Sequence, residues 1–209
     1  TGTLLNDQAS DGIPYFLTAN HCINNQSSAS SIEAYWFYYS SSCNSGIPNP
    51  GIVATSGGAA LLYNTSTTDT AFLKLNASPP PGVMFSGWTT YTPTIGQGST
   101  GLHDPQGDLR KISFGNFSTF QTCTPSIDNY SCIPSDAYSG NFMEVLYYQG
   151  ITEGGSSGSG VFANNNKYLF GQLRGGNLSC QNPSGTTTYG RFDKAYSNGN
   201  FDQWLAASA

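Results

Sequence analysis

Apolar residues along the chain gather in short runs: YFLTA from Tyr15, IEAYWFYY from Ile32, GAALLY from Gly58, TAFLKL from Thr70, KISFGNF from Lys111, FMEVLYYQ from Phe142, GVFA from Gly160 and YLFGQL from Tyr168. Some alternate apolar with polar positions and others are continuously apolar, and clusters of Gly, Asn, Pro and Ser separate them. That pattern predicts antiparallel strands joined by turns in a barrel or sandwich, not βαβ units. The expected fold class is all-β. One helix is expected, in FDQWLAAS from Phe201, where Phe201, Trp204 and Leu205 share a face and would pack as a C-terminal lid. Three prolines in NASPPPG, Asn76 to Gly82, cannot sit inside a central strand, so the chain is expected to divide into halves 1–82 and 83–209.

A chain of 209 residues suits one all-β unit or two half-units around a shared interface. Charged residues make up 9% and aromatic residues 13%, a balance that favours strands and turns over long helices. A net charge of −5, with seven Lys plus Arg and no basic run, lacks the electrostatic footprint of a nucleic-acid binder. No apolar run is long enough to span a bilayer and no signal-like segment opens the chain, so a soluble, already processed protein is expected. Five cysteines in so weakly charged and turn-rich a chain point to an oxidising, extracellular setting, and the odd number leaves at least one without a partner in the chain.

Glycine is densest in GGSSGSG, Gly154 to Gly160, between two strand-like runs. A flexible linker is the plain alternative, but linkers do not usually interrupt buried strands. A tight glycine turn lets backbone N–H groups converge on one point while a serine hydroxyl projects from it, which makes an oxyanion hole and a nucleophile together. Such a serine needs a neutral imidazole to take its proton and a carboxylate to fix the tautomer of that imidazole. The chain holds two histidines. His21 closes the strand-like YFLTANHC, and Asp69 stands at the mouth of the apolar run in DTAFLKL, where it is either a partly desolvated acid or an ordinary turn residue. With the serine turn, the order His, Asp, Ser is that of chymotrypsin. His103, in GLHDPQG, is the rival base, in a turn context before Asp-Pro. Zinc-type spacings do not occur, and the chemistry requires no cofactor.

FLTANHC, DTAFLKL, SGW, GITEGGSSGSG, GQLRGG, YGRFDKAY and the closing DQWL resemble, over nearly the whole chain, the chymotrypsin-fold serine endopeptidases, most closely the secreted bacterial lysyl endopeptidase group. The resemblance implies two antiparallel six-stranded β-barrels with the active site in the cleft between them, and a secreted enzyme that cleaves protein or peptide substrates through an acyl-enzyme. Carried over residue by residue, it implies His21 as general base, Asp69 as its orienting carboxylate, Ser157 as nucleophile, and the backbone N–H groups of Gly155 and Ser157 as oxyanion hole. Ser156 and Ser159 are rivals to Ser157, but Ser157 alone stands two places after Gly155 and directly before Gly158. Arg174, Gly175 and Gly176 would form the backbone edge on which the substrate lies as an added strand. The family places a structural His-Pro stretch at His103.

The sequence departs from this group in its specificity pocket. Lysine preference there depends on an acid shortly before YGR, where this chain reads GTTTYGR and puts Thr187 or a neighbour; the trypsin position, six before Ser157, is the apolar Ile151. Burying a lysine ammonium without a partner is costly, so the enzyme is expected not to prefer lysine. Its P1 choice stays open among apolar, small and acidic side chains, the last paired with Arg174, which is otherwise a solvated arginine covering apolar surface. Cys22, Cys43 and Cys180 match family cysteines whose partners lie upstream of the opening TGTLL. A propeptide or upstream segment disulfide-linked through them, and carrying the first strands of the first barrel, is therefore expected. Cys123 and Cys132 have no family counterpart and would close a local hairpin. Two readings from other classes compete: an inactive binding protein on the same fold, against which all of His21, Asp69 and Ser157 are present, and a carbohydrate hydrolase suggested by YWFYY, which needs two spaced carboxylates. The aromatics of YWFYY are instead expected to fill a barrel.

Overall fold

A computed structural model describes residues 1–124 and 130–206. The first half holds β1 (Thr3–Leu5), β2 (Tyr15–Ala19), α1 (Gln26–Ser30), β3 (Ala34–Trp36), β4 (Val53–Thr55), β5 (Ala59–Thr65) and β6 (Thr70–Leu75). The second holds β7 (Gly98–His103), β8 (Lys111–Cys123), β9 (Cys132–Ser135), β10 (Phe142–Gln149), β11 (Gly160–Ala163), β12 (Leu169–Gly176) and β13 (Thr187–Arg191), followed by α2 (Phe192–Asn198) and α3 (Asp202–Leu205).

Six strands close on themselves in the second half. β8, β10, β13, β12, β11 and β7 follow one another around a barrel in which β7 returns to β8, and β9 folds back on β8 as a hairpin. All these pairs are antiparallel. Phe117, Met143, Val145, Val161, Phe170, Leu173 and Tyr189 fill the interior, so the apolar runs of the sequence point inward at every second position. Cys123 and Cys132 face each other across the β8–β9 ladder and form the expected disulfide.

The first half arranges six strands as a four-stranded sheet, β1–β2–β6–β5, and a separate β3–β4 ribbon. β2 and β6 occupy the sheet centre and are buried on both faces, which is why YFLTA and TAFLKL read as nearly continuous apolar runs. Leu73 and Leu75 point into a cluster with Leu4, Ala29, Trp36 and Ala59. Leu17 and Phe72 point the other way, into a cluster completed by Phe192, Ala195, Phe201 and Leu205 from the C-terminal helices. Phe72 and Phe201 stack with ring centroids 4.4 Å apart. The lid helix expected from Phe201 is thus α3, which ends at Leu205 and covers the first-half sheet; residues 207 and 208 of the expected span lie outside the described residues. α2 was not legible in the sequence, because its seven residues bury only Phe192 and Ala195, too little to show a helical period.

The aromatics of YWFYY do not fill a barrel. Of this run Trp36 is buried and Phe37 packs partly against the same cluster, beside Ala34 of β3; Tyr35 and Tyr39 are exposed and border a cavity of about 960 Å³ that also touches Cys22, Arg110 and Gly155. Side chains alternate along a strand, so a run that is apolar throughout must send half of itself outward when only one face is covered.

Candidate active site

The register of two central strands brings His21 and Asp69 together. Ala19, the last residue of β2, pairs with Thr70, the first of β6, so the residues just beyond these ends meet at one edge of the sheet. The ladder continues one step further, with the Asn20 N–H donating to the Asp69 carbonyl at 3.0 Å. Asp69 closes the β5–β6 turn with φ of 52°, a left-handed conformation that aspartate tolerates better than most residues. Its carboxylate is almost wholly buried. It accepts from the His21 backbone N–H at 2.9 Å through Oδ1 and lies 2.7 Å from His21 Nδ1 through Oδ2. A carboxylate can only accept, so it selects the tautomer with the proton on Nδ1 and leaves Nε2 with a lone pair. Burial of the ring opposes its charge, but the Asp69 hydrogen bond, with help from Cys22, outweighs this and raises the His21 pKa to about 9.

The second half anchors this acid. Gln172, buried on β12, donates to the Thr68 carbonyl at 2.9 Å and to Thr70 Oγ1 at 2.8 Å, one residue either side of Asp69. A Cβ at Gly190 of β13 would collide with the Thr68 carbonyl oxygen, which accounts for the glycine of YGR. Arg174 sits at a register shift between Leu173 and Gly175, and such a bulge re-aims its side chain. Arg174 is 7% exposed, with Nε 3.6 Å from Asp69 Oδ2 and the guanidinium carbon 4.3 Å from the centre of the Tyr130 ring. Arg174 is therefore buried beside Asp69 and not solvated; what it leaves along the strand edge is backbone, followed by Gly175 and Gly176.

The glycine turn carries three serines in different states. Ser156 and Ser159 are fully buried, and Ser157 is half-buried. Ser156 Oγ is held by His103 at 3.0 Å. Ser159 Oγ has no partner among the described residues. Gly158, with φ of 80°, packs on the end of β2, where a Cβ would lie 2.8 Å from the Ala19 amide nitrogen, so the neighbouring Ser157 stands beside the strand end from which His21 projects. Gly155 also has a positive φ, 90°, and its carbonyl accepts from the Thr1 hydroxyl at 3.0 Å. The backbone N–H groups of Gly155 and Ser157 meet no acceptor among the described residues, whereas those of Ser156, Gly158 and Ser159 are all taken. Two free amides flanking a serine are suited to bind an oxyanion.

Thr187 begins β13, fully buried, opposite Gly176 of β12. Its hydroxyl lies 3.4 Å from that of Thr152, also buried, which follows Ile151. Ile151 and Thr187 are legible as pocket candidates in the sequence; Thr152 is not, its one signal being its place beside Ile151. Gln172 was missed because an internal glutamine in an apolar strand carries no mark of which carbonyl it meets. His103, expected in a turn, is the last residue of β7 and has no exposed surface. Cys22, Cys43 and Cys180 are exposed and unpaired among the described residues. No cluster of three or more metal-ligating side chains occurs among the described residues, and no helix is long and apolar enough to cross a membrane.

Residues 1–191 match the family described as lysyl endopeptidase, C-terminal domain. The lysyl endopeptidase of Pseudomonas aeruginosa is 35% identical over 191 residues, covering 88% of this chain and 38% of that protein, so the chain spans well under half of its relative's length. Among solved structures, the active form of the Rv3671c protease of M. tuberculosis aligns with a TM-score of 0.58 at 14% identity, over 100% of this chain and 74% of that one. The MamO protease domain of Magnetospirillum magneticum aligns with a TM-score of 0.59 at 12% identity, over 94% and 86% of the two chains. At those identities the structural matches establish the fold alone.

Proposed function

Because this chain belongs to the lysyl endopeptidase family, a group of chymotrypsin-fold serine endopeptidases, we propose that it hydrolyses peptide bonds with His21, Asp69 and Ser157 as its catalytic triad. The observation that carries the reading is the 2.7 Å contact between His21 Nδ1 and Asp69 Oδ2, which leaves Nε2 as a base at the end of β2 next to the serine turn. His21 Nε2 takes the Ser157 proton as Oγ attacks the scissile carbonyl, and the negative oxygen that forms accepts from the Gly155 and Ser157 amides. The imidazolium then protonates the leaving amine, and water, deprotonated by the same imidazole, releases the acyl group. Asp69 stays ionised and keeps the ring oriented throughout. The substrate backbone pairs with the edge at Arg174 to Gly176, a mode in which main-chain bonds give affinity and side-chain pockets give specificity.

The enzyme does not prefer lysine at P1. Where the group places an acid, Thr187 and Thr152 present a buried pair of hydroxyls, which can accept hydrogen bonds but supply no charge against a desolvated ammonium. The protein is secreted, as its one formed disulfide and its weakly charged, cysteine-bearing chain suggest. The exposed thiols of Cys22, Cys43 and Cys180 are placed to take disulfides from a propeptide or upstream segment.

Digestion of a denatured protein mixture, followed by mass spectrometry of the new peptide ends, tests the triad and the P1 reading against the Ser157→Ala variant. The expected outcome is a set of ends that vanish in the variant, whose kcat falls by about 10⁶-fold. A loss below tenfold removes Ser157 from the mechanism. Ends clustered after lysine overturn the reading of Thr187 and Thr152.

A further inference from the structure

We propose that His103 is a positioning residue, a neutral clamp that holds the Ile151–Ser157 turn in the shape that leaves the Gly155 and Ser157 amides free for the oxyanion. The inference rests on the reading of Ser157 as nucleophile. Its ground is a buried histidine that takes no part in the proton transfers and yet grips the serine turn at both ends. His103 Nδ1 lies 3.0 Å from Ser156 Oγ, and Nε2 lies 2.8 Å from Ser113 Oγ on β8. Ser113 Oγ in turn donates to the Ile151 carbonyl at 3.3 Å, and Ser156 Oγ accepts from the Glu153 N–H at 3.3 Å.

One arrangement of protons satisfies every member of this chain. The Glu153 N–H donates to Ser156 Oγ, the Ser156 hydroxyl donates to Nδ1, Nε2–H donates to Ser113 Oγ, and the Ser113 hydroxyl donates to the Ile151 carbonyl. The other tautomer strands the Ser156 proton and deprives the Ile151 carbonyl of its donor among the described residues, and a charged ring also strands the Ser156 proton. Buried groups left unpaired are costly, so the neutral Nε2–H form is selected. Both ends of the turn are thereby tied to the barrel through one ring, at Ile151 on one side and at Glu153 and Ser156 on the other.

The backbone after His103 adds an independent contact. Gln106 N–H donates to the Gly154 carbonyl at 2.6 Å, and a Cβ on Gly155 would lie 3.0 Å from both the Asp104 carbonyl oxygen and the Gln106 nitrogen. The end of β7 and the turn that follows therefore form the bed on which Gly155 rests. Burial keeps the ring neutral, lowering its pKa to about 4; of the charges nearest it, Asp104 raises and Arg110 lowers the value, and these two are paired with each other at 2.8 Å. Hydroxyl partners rather than a carboxylate suit a ring that must stay neutral so that Nδ1 can accept from the Ser156 hydroxyl.

The test compares His103→Leu, His103→Gln and Ser156→Ala with the wild-type chain, using kcat, KM and the affinity for a peptide aldehyde, whose hemiacetal oxygen occupies the oxyanion position. A clamp that only positions donors acts on the transition state, so His103→Leu is expected to lower kcat by roughly 10- to 100-fold, with aldehyde affinity falling in parallel and KM within about twofold. Glutamine keeps one donor and one acceptor and is expected to recover part of this. Ser156→Ala removes one arm and is expected to cost about 2- to 10-fold in kcat. If His103→Leu fails to fold, the other two variants carry the test. Wild-type kcat and aldehyde affinity in folded His103→Leu, or in both remaining variants, overturn the clamp alone. Absence of Ser157-dependent hydrolysis in the wild-type chain overturns the reading of the site and the clamp with it.

Discussion

The two histidines of this chain occupy the two halves of the molecule and have been given opposite chemistry. His21 stands past the end of β2 in the first half, its side chain 17% exposed, against the buried Asp69 carboxylate. His103 ends β7 in the second half, fully buried between the hydroxyls of Ser113 and Ser156. Burial lowers the basicity of both rings, and the partner decides the outcome: the carboxylate raises His21 to about 9, while the hydroxyls leave His103 at about 4. The same side chain can therefore be a proton acceptor that cycles through its charged form or a fixed neutral spacer. The difference lies chiefly in one neighbouring charge, that of Asp69.

The strongest attempt to break the comparison is to mutate each ring in the same way. His21→Gln removes the base and is expected to lower kcat by about 10⁶-fold, as loss of a triad histidine does, against at most roughly 100-fold for His103→Gln. Equal losses at the two sites would erase the distinction. Removing only the charge that separates them is the next step. Asp69→Asn is expected to lower kcat by about 10⁴-fold, because the amide favours the wrong imidazole tautomer, and to move the pH dependence of the residual activity toward acid. An unchanged profile would show that Asp69 is not what raises His21.

The pH profile of the intact enzyme follows from the same assignment. Catalysis needs His21 neutral, so kcat/KM is expected to rise with pH until about 9 and then level off. A profile flat from neutrality upward would contradict the raised pKa. Stability gives a smaller and two-sided signal. His21, raised on folding, contributes stability that is complete below its unfolded pKa near 6.5 and is lost as pH climbs through about 9. His103, lowered on folding, contributes stability that is complete above 6.5 and is lost as pH falls toward about 4. Melting temperature should fall on both sides of a maximum near pH 6.5, and His103→Gln should flatten the acid side alone. The smallest expected effect lies at the β8–β9 disulfide of the second half: Cys123→Ser with Cys132→Ser is expected to cost about 2 to 3 kcal/mol in chemical denaturation while leaving most of kcat in place.

The kind of protein was legible in the sequence because it depends on local chemistry. Alternation and turn residues are enough to predict antiparallel β structure, and a histidine at a strand end, an aspartate at a strand start and a glycine-crowded serine turn announce their types wherever they later sit. The Cys123–Cys132 bridge was legible for the same reason: its residues are close in the chain and flank a turn. What the sequence could not supply was anything set by which strands become neighbours. The pairing of Ala19 with Thr70 brings His21 to Asp69 across 48 positions, and His103 reaches Ser156 across 53. The bulge that turns Arg174 onto Asp69, the Gln172 tie between the halves and the outward turn of Tyr35 are likewise properties of packed surfaces. A residue's type and its near neighbours determine what it can do, but its charge state and its partner are decided by burial and by contacts distant in the chain, which exist only once the sheets have closed.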